Sequence, residues 1–184
     1  MIQERVKVIL QEINTVLNGV DESDVARLLA QILMAKTIVV AGAGRVGMAT
    51  RGFGMRLAHL GLRAYTLGDS NVPGIGSGDL FIVSSGSGET QTIYDLVAIA
   101  KKNGAQVALV TGNRDSRMGQ LADTVVVVPA PSKTKPVAGL TSIQPMTTLN
   151  EQCLGIFYDA LVLALMGAMG ESHETMWARH SNLE

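Results

Sequence analysis

Five short apolar runs, separated by longer stretches of helical spacing, constrain this chain most. The runs cover residues 37–41, 63–67, 80–84, 106–110 and 124–128. Between them, 46–60 and 89–103 read as helices and 116–122 as a short turn. Runs of this length without polar alternation are typical of strands buried on both faces. Strands that alternate with helices form a mostly parallel sheet covered on both sides. The expected fold is α/β, a three-layer α/β/α sandwich on five parallel strands, with further helices at both ends.

Two helical segments precede the first run. Val6, Ile9, Leu10, Ile13 and Leu17 recur at helical spacing, as do Val25, Leu28, Leu29 and Ile32. Residues 21–24 hold capping side chains for the second helix. The stretch 67–79 is loop-like. Residues 129–144 form a Pro- and Lys-containing loop, long enough for a compact domain to hint at function. A long helix is expected from 147 to 169, with a short helical tail to His180. No repeat or linker interrupts the chain, so one domain over 1–184 is expected.

Bulk properties exclude several classes. The formal net charge is −1 and aromatic residues make up 4%. A nucleic-acid partner is therefore not expected, since such binders carry a basic face and stacking platforms. Cys153 is the only cysteine; it forms no intrachain disulfide, and a reducing compartment fits it. Met1–Arg5 carries mixed charge ahead of an amphipathic pattern, so no signal peptide is expected. Residues 153–169 approach the ~20 apolar positions of a spanning helix, but Asp159 interrupts them. A core helix, or one buried in an oligomer, is expected instead. These features point to a cytoplasmic protein with no membrane partner.

Two glycine loops carry the chemistry. Gly42-Ala43-Gly44-Arg45-Val46-Gly47 joins the first strand to a helix. Glycines permit the tight turn, and the helix N-terminus favours an anion. The same spacing matches the dinucleotide fingerprint, with Asp69 near the ~20-residue distance of a ribose contact. This motif alone leaves NAD and a phosphorylated sugar open. Ser84-Ser85-Gly86-Ser87-Gly88-Glu89-Thr90 joins the third strand to a helix. One serine would cap that helix, so the density of hydroxyls points to a phosphate monoester. In the flavodoxin-like order 2-1-3-4-5, strands one and three are neighbours and their connections leave on opposite faces. Both loops then meet at the switch point, where ligands bind. In the dinucleotide-binding order strand one neighbours strand four.

These motifs resemble a known family. Gly42–Gly47, then Met55-Arg56-Leu57-Ala58-His59-Leu60-Gly61, are similar to the first half of the 6-phospho-3-hexuloisomerases of the sugar isomerase (SIS) family. Ser85-Gly86-Ser87-Gly88-Glu89-Thr90 resembles the SIS phosphate loop. Gln144-Pro145-Met146 with Glu151, and Arg179-His180-Ser181-Asn182-Leu183, resemble the second half. The resemblance spans nearly the whole chain. Three positions depart from it: Asp69 stands for Glu, Thr147 for Gly and Asn150 for Phe. The shorter Asp69 is expected to reach a ligand differently. The resemblance implies a SIS fold and conversion of D-arabino-hex-3-ulose 6-phosphate to fructose 6-phosphate, a step of formaldehyde fixation by the ribulose monophosphate pathway. It also implies a homotetramer with sites near subunit interfaces, and no metal or organic cofactor.

Moving a carbonyl from C3 to C2 needs a proton-transfer base. Glu151, at the start of the long helix, is a base or a first-turn carboxylate that complements the helix dipole; the resemblance assigns it to catalysis. His180 is the second candidate, able to exchange a proton near neutrality and placed on a tail that can reach a neighbouring subunit. His59 reads as a structural histidine and His173 as a surface one. Arg45, with Gly44, is expected on the phosphate or sugar oxygens. Ser85, Gly86, Ser87, Gly88 and Thr90 are expected to bind the phosphate, and Glu89 to support the helix start.

Overall fold

The computed structural model describes residues 1–132, 137 and 139–183. Residues 133–136 and 138 of the expected long loop lie outside them. The strands are β1 (Ile38–Gly42), β2 (Ala64–Thr66), β3 (Leu80–Ser85), β4 (Gln106–Thr111) and β5 (Thr124–Val127). They form one parallel sheet in the order β2-β1-β3-β4-β5. The expected order holds, and β1 lies against β3 with Gly42 level with Ser84.

Side chains alternate across a strand, and here the two parities build two cores. Ile38, Val40, Leu80, Ile82, Ala108, Val110 and Val126 face one side. That side is covered by α1 (Ile2–Leu17), α2 (Glu22–Met34), α3 (Gly44–His59) and α6 (Thr148–Met169). Val39, Ala41, Phe81, Val83, Val107, Leu109 and Val125 face the other. There α4 (Gln91–Lys102) and α5 (Arg117–Leu121) supply Ile93, Val97, Ala100 and Met118. The helices after β1 and β3 thus leave on opposite faces, as a switch point requires.

Helix boundaries differ from expectation in two informative places. α3 begins at Gly44, two residues early, because Gly44 takes φ +60° and turns the chain straight into the helix. Arg45 is therefore a first-turn residue. α4 begins only at Gln91, with an extended Thr90 as its N-cap. Glu89 lies outside the helix, correcting its expected role at the helix start.

α6 is long and apolar enough to cross a membrane by length and composition. Its buried face, including Cys153, Leu154, Phe157, Leu161 and Leu165, packs into the first core. Tyr158 is fully buried and stacks on Phe53 of α3 at 4.2 Å. Its hydroxyl lies 2.5 Å from Ser84 Oγ, which accepts a bond from Thr50 Oγ1 at 2.8 Å. Burial pushes the phenol up to about 12, against the bonds from Ser84 and Thr50. It stays neutral, and the chain of hydroxyls ties α6 and α3 to the end of β3. A short α7 (His173–Trp177) closes the described chain.

Loss of one neutral hydrogen bond from this network should cost about 1 kcal/mol, and loss of the ring roughly 3–5 kcal/mol. Tyr158→Phe and Tyr158→Ala should separate accordingly in urea denaturation. Equal, small losses would mean the network contributes nothing.

Candidate active site

At the end of β1 the chain turns into α3 with its backbone unusually close. A Cβ at Gly47 would stand 2.4 Å from Gly42 O, so only glycine lets α3 start there. Arg45 projects from this first turn towards the start of α6. Its Nη1 lies 2.9 Å from Glu151 Oε2 and 3.3 Å from Thr148 Oγ1. Thr147 Oγ1 donates to Glu151 Oε1 at 3.0 Å. Glu151 is mostly buried, while Arg45 is exposed. The candidate base thus lies between a cation and a hydroxyl across the gap between α3 and α6.

The β3–α4 loop faces this pair. Gly88 has φ +69°, and a side chain there would run into Ser116 Oγ. Its N–H donates to Ser85 Oγ at 3.1 Å, and Gly112 N–H donates to Gly86 O at 3.0 Å. These bonds turn the loop so that Gly86, Ser87 and Thr90 face outward. Thr90 makes no side-chain cap bond to α4. Its hydroxyl is not spent on the helix, which weighs against a loop that merely caps.

The two loops and the start of α6 enclose a cavity of about 430 Å³. Gly44, Arg45, Gly86, Ser87, Thr90 and Glu151 line it. Six of the nine expected site residues therefore meet in one place. Ser85 and Gly88 lie beneath, shaping the loop rather than lining the cavity. Ser84 points the opposite way, into the Tyr158 network, as strand alternation dictates.

His180 is placed elsewhere. It lines a separate cavity between α3, α6 and α7, with its ring 5.0 Å from Trp177 and 5.2 Å from His59. His59 is buried beside Arg56, in keeping with a structural role. His173 is exposed and stacks on Trp177. Asp69 does not reach the cavity of Glu151 either. It pairs with Arg51 at 3.0 Å beside another cavity, on the far side of α3. Within one chain Asp69 therefore lies apart from the Glu151 cavity. The other two departures, Thr147 and Asn150, do line that site.

Two further groups shape the site, of which Glu12 escaped the sequence reading. Asn150 is buried beside Gly86, at the floor of the cavity. Glu12 of α1 is buried too, and accepts from Ser142 Oγ, Ile143 N–H and Gln144 Nε2 at 2.7, 2.9 and 2.9 Å. Burial would raise its pKa, but the bonds from Gln144, Ile143 and Ser142 outweigh it and hold the carboxyl below the usual glutamate range. Glu12 so fastens the segment that leads into Met146, Thr147 and Glu151. Only its place beside Ile13 on the packed stripe of α1 marked it in the sequence.

The SIS domain family profile matches residues 31–154, more than half of the chain. The chain belongs to the SIS domain family. The match spans both loops and Glu151; Glu12 and His180 lie beyond it. Among relatives of this SIS protein, a 3-hexulose-6-phosphate isomerase of Bacillus subtilis is 39% identical over 181 residues, covering 98% of each chain. A 3-hexulose-6-phosphate isomerase of Mycobacterium gastri is 41% identical over 165 residues, covering 90% of this chain and 82% of its own. A crystal structure of a Methanococcus jannaschii protein, with an inferred function of 3-hexulose-6-phosphate isomerase, superposes with a TM-score of 0.85. It is 26% identical and covers 98% of this chain and 99% of that one.

An arginine fork helps hold the tail that carries His180. Arg179 Nη1 and Nη2 donate to Glu171 at 2.8 and 2.9 Å, and Nη1 also reaches His59 O at 2.9 Å. The Arg179 side chain, and then Thr175, hold the Glu171 carboxyl down at about 2, below its ordinary 4.5. A depressed folded-state pKa stabilises fully above 4.5 and loses that contribution as pH falls towards 2. Glu171→Gln should shift Trp177 emission at neutral pH, as wild type does across that acid window. Unchanged emission in the variant would mean the tail is held by other contacts.

Proposed function

We propose that this SIS protein is a phosphosugar ketose isomerase that converts D-arabino-hex-3-ulose 6-phosphate to fructose 6-phosphate. The observation that carries this reading is the meeting of Ser87, Thr90, Arg45 and Glu151 around one cavity. Near-full-length similarity to proteins named 3-hexulose-6-phosphate isomerase supports the choice of sugar. The phosphate ester binds at Gly86, Ser87 and Thr90, where hydroxyls and the start of α4 favour a dianion. No free hydroxyl of the 3-ketose can close a stable ring, because O6 is esterified, so the substrate arrives open-chain.

Glu151 takes the proton from C2, and the electron pair of the C–H bond enters a C2–C3 enediol. A proton passes from O2 to O3. Return of a proton to C3 leaves the carbonyl at C2, so atoms and charge balance. In the free protein Arg45 and Thr147 hold the Glu151 side chain at the cavity. The guanidinium has further donors with which to meet the sugar oxygens.

The same reading includes a cytoplasmic homotetramer, each subunit a single SIS domain over 1–184. Exposed Met48, Met55, Ile156 and Leu163 on α3 and α6 favour burial against another copy. His180 would then serve a neighbouring subunit's cavity as the second acid–base group. Thr147 and Asn150 favour a second reading, an isomerase of another phosphosugar, since both departures line the cavity.

A coupled assay tests the function: hexulose phosphate is made from formaldehyde and ribulose 5-phosphate by a synthase, and fructose 6-phosphate is then followed. Wild type should turn over. Glu151→Gln should lose about 10²–10⁴-fold in kcat while keeping affinity for fructose 6-phosphate. Full activity in the variant removes Glu151 as base, and turnover only of arabinose or heptose phosphates establishes the second reading.

A further inference from the structure

The loop that grips the phosphate contains its own negative charge. Glu89 stands between Ser87 and Thr90, both of which line the cavity, although Glu89 itself does not. A bare carboxylate there would repel a phosphate dianion bound beside it. Arg117, from the start of α5, covers that charge. Its backbone N–H donates to Glu89 Oε1 at 2.9 Å and its Nε to Oε2 at 2.8 Å. Nη2 donates to the Glu89 carbonyl at 2.8 Å and Nη1 to Gln91 Oε1 at 3.0 Å. The guanidinium lies over the Tyr94 ring, 4.4 Å from its centroid. One arginine thus holds Glu89 in the loop together with Gln91 and Tyr94 in the first turn of α4.

We propose that Arg117 is a positioning residue for substrate binding: it neutralises Glu89 and turns its carboxylate away from the phosphate cavity. This inference rests on the phosphosugar reading above. The Arg117 backbone bond, and after it the side-chain bond and charge, hold the Glu89 carboxyl below the usual glutamate range, so it is charged at neutral pH and needs a counter-charge. Both side chains are partly exposed, and an ion pair in water contributes little to stability. Its consequence lies instead in where the negative charge stands. Met118 N–H reaches Gly88 O at 3.3 Å and Gly119 N–H reaches Ser116 Oγ at 3.2 Å. The β4–α5 turn therefore stays packed beneath the loop without Arg117.

The test compares wild type, Arg117→Met, Glu89→Gln and the double variant, with fructose 6-phosphate titrated by calorimetry and KM and kcat measured beside it. Arg117→Met should weaken binding and raise KM by about tenfold, through repulsion from the uncovered charge, with kcat changed far less. Glu89→Gln alone should bind at least as tightly as wild type. The double variant should regain most of the affinity lost in Arg117→Met, because the charge to be covered is gone. A merely structural clamp predicts the opposite, a double variant as weak as Arg117→Met or weaker, and that result overturns the inference. So does unchanged affinity in Arg117→Met. If Arg117→Met fails to fold, a tenfold loss in Glu89→Gln overturns it by itself. If wild type binds no fructose 6-phosphate, the phosphosugar reading falls and this inference falls with it.

Discussion

The parallel pairing of β1 with β3 is the constraint on which the site depends. It places the ends of two strands side by side while sending their helices to opposite faces. No helix then crosses the gap between the strand ends, and the gap becomes a crevice. Both glycine loops empty into it. Had β1 paired with β4, Arg45 and Ser87 would stand apart, and a dinucleotide reading of Gly42–Gly47 would regain its force.

α6 completes the crevice and fixes its chemistry. Its apolar body is committed to the first core through Tyr158, Phe157 and Leu161. The hydroxyl chain from Tyr158 through Ser84 to Thr50 sets its depth against β3 and α3. That depth brings Glu151 within reach of Arg45, in the first turn of a helix more than a hundred residues earlier, and of Thr147. Glu12 fixes the segment just upstream through three accepted bonds. A buried carboxylate with its donors satisfied is a rigid anchor, and it positions a loop that has no regular structure of its own.

What was legible in the sequence follows from period and spacing. The apolar runs marked all five strands, because both faces of a parallel sheet are covered. The glycine and serine clusters marked the loops, because close backbone approach and exposed hydroxyls leave a compositional trace. The sites that stayed hidden depend on distant partners. Glu12 meets its donors across some 130 residues of chain. Glu89 reads as a helix-start carboxylate until Arg117 is brought beside it by the β4–α5 turn. Asp69 has a plausible spacing for a ligand contact but is drawn off by Arg51 behind α3. A motif registers what a residue can do; tertiary placement decides which partner it meets.

The most direct measurement is a crystal structure with fructose 6-phosphate bound. The phosphate should lie within hydrogen-bond distance of Ser87 and Thr90, with C2 and C3 of the sugar between Arg45 and Glu151. A phosphate seated instead beside Arg51 and Asp69, or against His180 and Trp177 of the same chain, would contradict the convergence of the two strand-end loops on the ligand.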